Sequence, residues 1–340
     1  MRDYWRVYIA VSFLLILLVA GAVLLSQQAK QSIPLRYAKI PEETKRFLRE
    51  LERLAGDVRI RFIEDPIEDL WGDETNEGED PRTGLAKMED ENFIFYYHRS
   101  PDEKAKAEVV ASAGRRAIIP LAKLFGKYYY PKDCNGRKLA FYICEDREEY
   151  YRLSGTTNRY SIAVTSLLFS PSGVICRGIY FAPETFVDTG PDFQSGFSER
   201  NWRRGNHEEV QETVWHEMAH FVYFSSLDLS KPLWQPQWVT EGIAEYFSEN
   251  RDRLREANLR NLIPLSQFES PDMRDKWISS AYWIGYTAFL YMEKDYTRNG
   301  IRRFLSHNYR LPPSPAVERA LSVPFDQFDK SWQNYLRSLR

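Results

Sequence analysis

The stretch TVWHEMAHFVYF, residues 213–224, sets two histidines four apart around a glutamate inside an otherwise apolar run. Asn206 offers a capping side chain and Glu209 follows three residues later, so a helix is expected from residue 207 to about residue 225. At about 100° per residue, His216 and His220 fall within about 40° of each other with Glu217 on their flank. Val210, Val214, Met218 and Phe221 gather on the opposite side, and His207 points to the far face. One face of this helix must therefore meet a core, while the other presents two imidazoles and a carboxylate that need partners. Imidazole nitrogens at i and i+4 can converge on one tetrahedral ion at about 2.0–2.1 Å, so the spacing suits zinc. The plain alternative is a buried helix whose histidines are satisfied by hydrogen bonds alone.

Two ligands do not make a catalytic zinc site, which needs a third protein ligand and an open position. The metzincin pattern would place Gly at position 223 and His at 226, where this chain has Tyr223 and Ser226, so that class fails. Further on, WVTEGIAEYF at residues 238–247 reads as a second helical segment entered through a proline-containing turn, with Glu241 and Glu245 four apart on one face. Glu241 is the candidate third ligand.

HEMAH followed at this distance by TEGIAEYF resembles the gluzincin metallopeptidases, the group that includes thermolysin and the aminopeptidases with an NEGFA signature. More narrowly, the region from about residue 92 looks like a peptidase MA-like domain, with a Tyr-rich helix in SSAYWIGYTAFLYMEKDY and a closing helix in FDKSWQNYL. The resemblance implies zinc ligands at His216, His220 and Glu241, with Glu217 as general base. It also implies that Glu245 orients a ligand histidine, and it makes Tyr282 and Tyr286 candidates for stabilising an oxyanion; His307 is a remoter one. Zinc lowers the pKa of a bound water to about 7, and a carboxylate beside it can take the proton and pass it to the leaving amine.

Elsewhere the chain frames this motif. Residues 7–25, VYIAVSFLLILLVAGAVLL, carry no charge and as a helix span about 28 Å, close to the roughly 30 Å of a bilayer core. Tyr4, Trp5 and Tyr8 suit an interfacial belt, and an uncleaved single-pass anchor is expected. Ala20-Gly21-Ala22 keeps a cleaved signal peptide as the rival reading. The expected division is a cytoplasmic tail at 1–6, the anchor at 7–25, a juxtamembrane helix (41–56) and acidic linker within 26–91, and the metallopeptidase-like domain at 92–340. A calcium loop from Asp73 is disfavoured because its twelfth position is Gly84.

Within the last of these regions FIFYYH reads as a strand, Ser100-Pro101-Asp102-Glu103 as a capping box opening a helix to Phe125, and Gly126 as its stop. KLAFYICED reads as a half-buried strand with Cys144 as a core residue. SIAVTSLLF and GVICRGIYFA read as a hairpin offering an edge strand to an extended peptide. Beyond residue 206 the chain reads as mostly helical. The fold class expected is α+β: a thermolysin-like domain with a small mixed sheet and edge hairpin, then a helical half, preceded by one transmembrane helix. A net charge of −2, with no Lys/Arg cluster among aromatics, gives nucleic-acid binding no electrostatic support. Three cysteines permit at most one internal disulfide.

The activity expected is peptide-bond hydrolysis of a peptide or protein at the cell membrane, in an extracytoplasmic domain, by a zinc-activated water. The alternative is a catalytically inactive zinc-containing ectodomain that binds peptides or acts as an adaptor.

Overall fold

Apolar and aromatic segments such as FIFYY and LAFYI form strands of a mixed sheet in the computed structural model, which describes residues 58–60, 84–126, 132, 136–170, 173–186, 207–228, 235–249, 262–269 and 278–339. The strands are β1 (Val58–Ile60), β2 (Ala86–Glu89), β3 (Phe93–Tyr97), β4 (Leu139–Ile143), β5 (Ala163–Ser170) and β6 (Gly173–Phe181), in the order β1-β5-β6-β4-β3-β2. The short β1 adds to a five-stranded body drawn from 86–181. The expected anchor at 7–25, the tail before it, the helix at 41–56, most of the acidic stretch, Cys134 and the Asn206 cap lie outside the described residues. Among the described residues no helix is long and apolar enough to cross a membrane.

Ser100 caps helix α1 (Pro101–Phe125) by accepting from the Glu103 amide at 3.2 Å, and Gly126 closes it in the left-handed conformation at φ 72°. The strand ends and helix ends thus follow local chemistry as expected. The face of the sheet turned to α1 carries Phe93, Phe95, Phe141 and Phe181, with Phe95 and Phe141 stacked at 5.2 Å.

Two expectations about the sheet need correction. KLAFYICED is not half-buried: β4 lies inside the sheet, and both of its faces are covered. Tyr142 stacks between Tyr96 and Tyr180 at 4.7 Å on each side, under helix α2 (Arg147–Ser154), so an apparently polar row is buried aromatic surface. Gly178, at φ 151°, makes room for it, since a Cβ there would lie 2.6 Å from the Tyr142 ring. The hairpin β5–β6 forms as expected, but it is not an edge. β6 pairs with β4, and the outer side of β5 pairs in parallel with β1 from Val58↔Thr165 to Ile60↔Leu167. The sheet edges are β1 and β2, a consequence of a segment far upstream in sequence closing over β5.

The C-terminal half is mostly helical: α3 (His207–Ser225), α4 (Gln237–Ser248), α5 (Ile278–Asn308), α6 (Pro313–Leu321) and α7 (Phe325–Ser338). α5 breaks at Thr297, φ 62°, whose hydroxyl accepts from the Asn299 amide and caps the second segment. α4 and α5 cross at two glycines, for a Cβ on Gly242 would sit 2.5 Å from the Gly285 Cα. Only glycine permits that approach. Gly285→Ala is therefore expected to force the helices apart at a cost of roughly 1–3 kcal/mol or more, lowering the midpoint of thermal unfolding measured by circular dichroism. An unchanged midpoint would mean that the helices do not cross in this way.

Candidate metal centre

α3 is fixed on both sides of His216 before any ligand is considered. The Trp215 indole donates to the Ala113 carbonyl of α1 at 3.0 Å and stacks on Phe247 of α4 at 5.2 Å. At its far end, the Tyr223 hydroxyl donates to Asn308 at 2.6 Å, and Asn308 in turn donates to Gln235 at 3.0 Å. These buried polar contacts tie α3 to the start of α4 and the end of α5, so the histidines and the glutamates of α4 are held in register. The apolar face lies where its phase requires, with Val210, Val214, Met218 and Phe221 buried, and His207 is exposed.

His216, His220 and Glu241 come together. His220 Nε2 lies 3.0 Å from His216 Nε2 and 3.3 Å from Glu241 Oε2, and His216 Nε2 lies 3.4 Å from the same oxygen. Ligand bonds of about 2.0–2.1 Å to a tetrahedral zinc imply ligand–ligand edges of about 3.3 Å, which is the size of this triangle. The side chains of His220 and Glu241 are fully buried and that of His216 is 11% exposed, so the open side of the group is at His216. Neither Glu241 oxygen makes a hydrogen bond, although both are buried. A buried carboxylate without donors is costly, and a cation shared with two imidazole nitrogens would satisfy it. Burial alone would push the Glu241 carboxyl up, but the adjacent His220 and His216 outweigh it and hold it at about 2. The three side chains could hold a metal ion, and among the described residues theirs is the one group of this kind.

Glu245 lies one turn further along α4 with its Oε1 3.5 Å from His216 Nδ1, the ring nitrogen that does not face Glu241. Glu217, buried at 2% exposure, faces β5, where the Thr165 hydroxyl lies 2.6 Å from its Oε2. Two carboxylates buried beside two imidazoles favour occupancy by a cation. Tyr282, half-buried on α5, lies nearly parallel to the His216 ring at 6.3 Å, whereas Tyr286, one turn on, is buried. His98 is engaged elsewhere, with Nε2 2.8 Å from Glu149 and Nδ1 3.4 Å from Glu145, and His307 lies in the last turn of α5.

Thr165 was not singled out by the sequence reading. Its signal was a lone hydroxyl in the inward row Ala163-Thr165-Leu167, but only the packing of α3 on β5 shows what it faces. Cys144 and Cys176 are both buried thiols outside any disulfide, and burial pushes the Cys144 thiol well up, away from nucleophilic use. No family model and no curated protein matches the chain, so the chemistry of the site rests on its own geometry.

Proposed function

We propose that the protein is a membrane-anchored zinc metallopeptidase of the gluzincin type, with a thermolysin-like catalytic domain held outside the cytoplasm by residues 7–25. The observation that carries this reading is the triangle of His216 Nε2, His220 Nε2 and Glu241 Oε2, whose edges of 3.0–3.4 Å suit one tetrahedral zinc, with a buried carboxylate next in sequence to the first ligand. Two nitrogens and one carboxylate oxygen form a donor set that zinc accepts, leaving a fourth position free.

Bound zinc supplies Lewis acidity, lowering the pKa of a water to about 7 and polarising a carbonyl. The chain supplies the rest. Glu217 takes the proton of the attacking water and returns it to the amine nitrogen as the C–N bond breaks, so that a carboxylate and an amine leave the site. Glu245 accepts from His216 Nδ1–H, which fixes the tautomer that directs the Nε2 lone pair at the metal position. Tyr282, whose half-buried ring lies beside that of His216, is the hydroxyl donor to a developing oxyanion, ahead of the buried Tyr286.

Digestion of a broad peptide library by the full chain in detergent micelles tests the proposal. Cleavage that stops on adding a chelator and returns with zinc is the expected result. Capture of library peptides with no chelator-sensitive cleavage would instead make the protein a zinc-containing binding module.

A further inference from the structure

We infer that Thr165 is a positioning residue for the general base: its hydroxyl, presented from β5, holds the Glu217 carboxylate in the orientation needed for proton transfer. The inference rests on the metallopeptidase reading and deepens it by adding a residue from the sheet to a site otherwise built on helices.

Side chains alternate along a strand, so Ala163, Thr165 and Leu167 share the face of β5 that packs on α3. Ala163 and Leu167 belong to the main apolar core, and Thr165 between them is fully buried. A valine of the same shape would suit such a row better, because a buried hydroxyl costs free energy unless it is bonded. Here the hydroxyl has a bond to make. Its oxygen lies 2.6 Å from Glu217 Oε2 and 2.9 Å from the Glu217 carbonyl oxygen, and with one proton to give it serves the nearer acceptor.

Thr165 lies where β5 is paired on both sides. Immediately after it, between Ser166 and Leu167, the β5–β6 register shifts, so that Ser166 faces Gly178 while Leu167 faces Cys176. The extra residue, Arg177, is on β6, so the bulge bends β6 while β5 keeps the alternation that places Thr165 between Ala163 and Leu167. On its other side Thr165 pairs with Val58 of β1, so the strand carrying it is hydrogen-bonded along both edges at this point. Rigid support on two sides is what a group must have to hold another within a few tenths of an ångström.

A glutamate on a helix has three side-chain torsions, and pinning one oxygen to Thr165 restricts where the other can point. Loss of the hydroxyl therefore acts on the rate of the bond-breaking step and not on substrate or metal binding.

The test compares Thr165→Val and Thr165→Ser in the full chain, using the best-cleaved member of an internally quenched peptide library. Thr165→Val is expected to keep zinc and KM within about twofold while kcat falls about 30-fold, part of the roughly 10²–10⁴ that a positioned base contributes. Thr165→Ser, which keeps the hydroxyl, is expected to restore most of kcat. Should the valine variant fail to fold, Thr165→Ala takes its place against Thr165→Ser. Wild-type kcat in the valine or alanine variant, or equal losses in the serine variant, would overturn the inference while leaving the metallopeptidase reading intact. Absence of chelator-sensitive cleavage by the wild-type chain would overturn that reading, and this inference with it.

Discussion

Glu217→Gln is expected to leave zinc bound and to lower kcat by about 10³-fold, within the range of roughly 10²–10⁴ for a positioned general base. The exchange preserves shape and removes only basicity. Glu217 is buried, yet it is not one of the three converging ligand atoms, so the His216–His220–Glu241 triangle does not depend on its charge. An amide oxygen at the same place can still accept from Thr165, so the contact between α3 and β5 survives. What is lost is the ability to take a proton from water and deliver it to the leaving amine. Metal analysis of the purified variant and its turnover of the best-cleaved library peptide are the two measurements needed. Equal cleavage by variant and wild type would move the base to another residue and remove the chemical reason for a glutamate between the histidines.

His220→Ala is expected to lower the metal content from about one zinc per chain to none. His220 is fully buried and makes two of the three edges of the ligand triangle. Its removal leaves the two-ligand set of His216 and Glu241, and a catalytic zinc needs three protein ligands. The same change should appear in stability. A ligand that binds only the folded state, present at a thousand times its Kd, stabilises by about 4 kcal/mol. At roughly 2–4 °C per kcal/mol for a domain of this size, chelator should lower the wild-type melting temperature by about 8–16 °C. The variant should melt low and be indifferent to chelator. A wild-type protein that contains no zinc, and whose melting temperature moves neither with chelator nor with added zinc, would show that the triangle holds no metal.

Both experiments address residues that local sequence made visible. Helical phase placed His216 and His220 on one face and the apolar residues on the other, and the observed α3 has the expected bounds. That worked because helix periodicity and capping are short-range properties, decided within one or two turns. The Ser100 cap, the stop at Gly126 and the β5–β6 hairpin were legible for the same reason, although the Ser100 amide donates to His98 and not to the Glu103 side chain, so the box is half made. Glu241 was legible as a candidate only, since spacing along the chain limits what can meet but does not bring it together.

The remainder depended on contacts between residues far apart in sequence. KLAFYICED has an alternation that suggests one wet face, but Tyr96 and Tyr180 come from other strands to bury Tyr142. The outer side of β5 looked free because nothing near it in sequence announces that β1 pairs there. Nothing in either helix alone announces that Gly242 and Gly285 bring the two backbones into contact.

By itself, then, the sequence determined many of the elements, though not β2 or α2, and the face on which the two imidazoles stand, because those follow from torsional preference and side-chain periodicity. Only the tertiary structure decided that Glu241 closes the triangle, that Glu245 and Tyr282 flank His216, and that Thr165 reaches Glu217. Each of those depends on how two elements pack, and packing is set by close fits such as the glycine crossing of α4 and α5 that no single segment encodes.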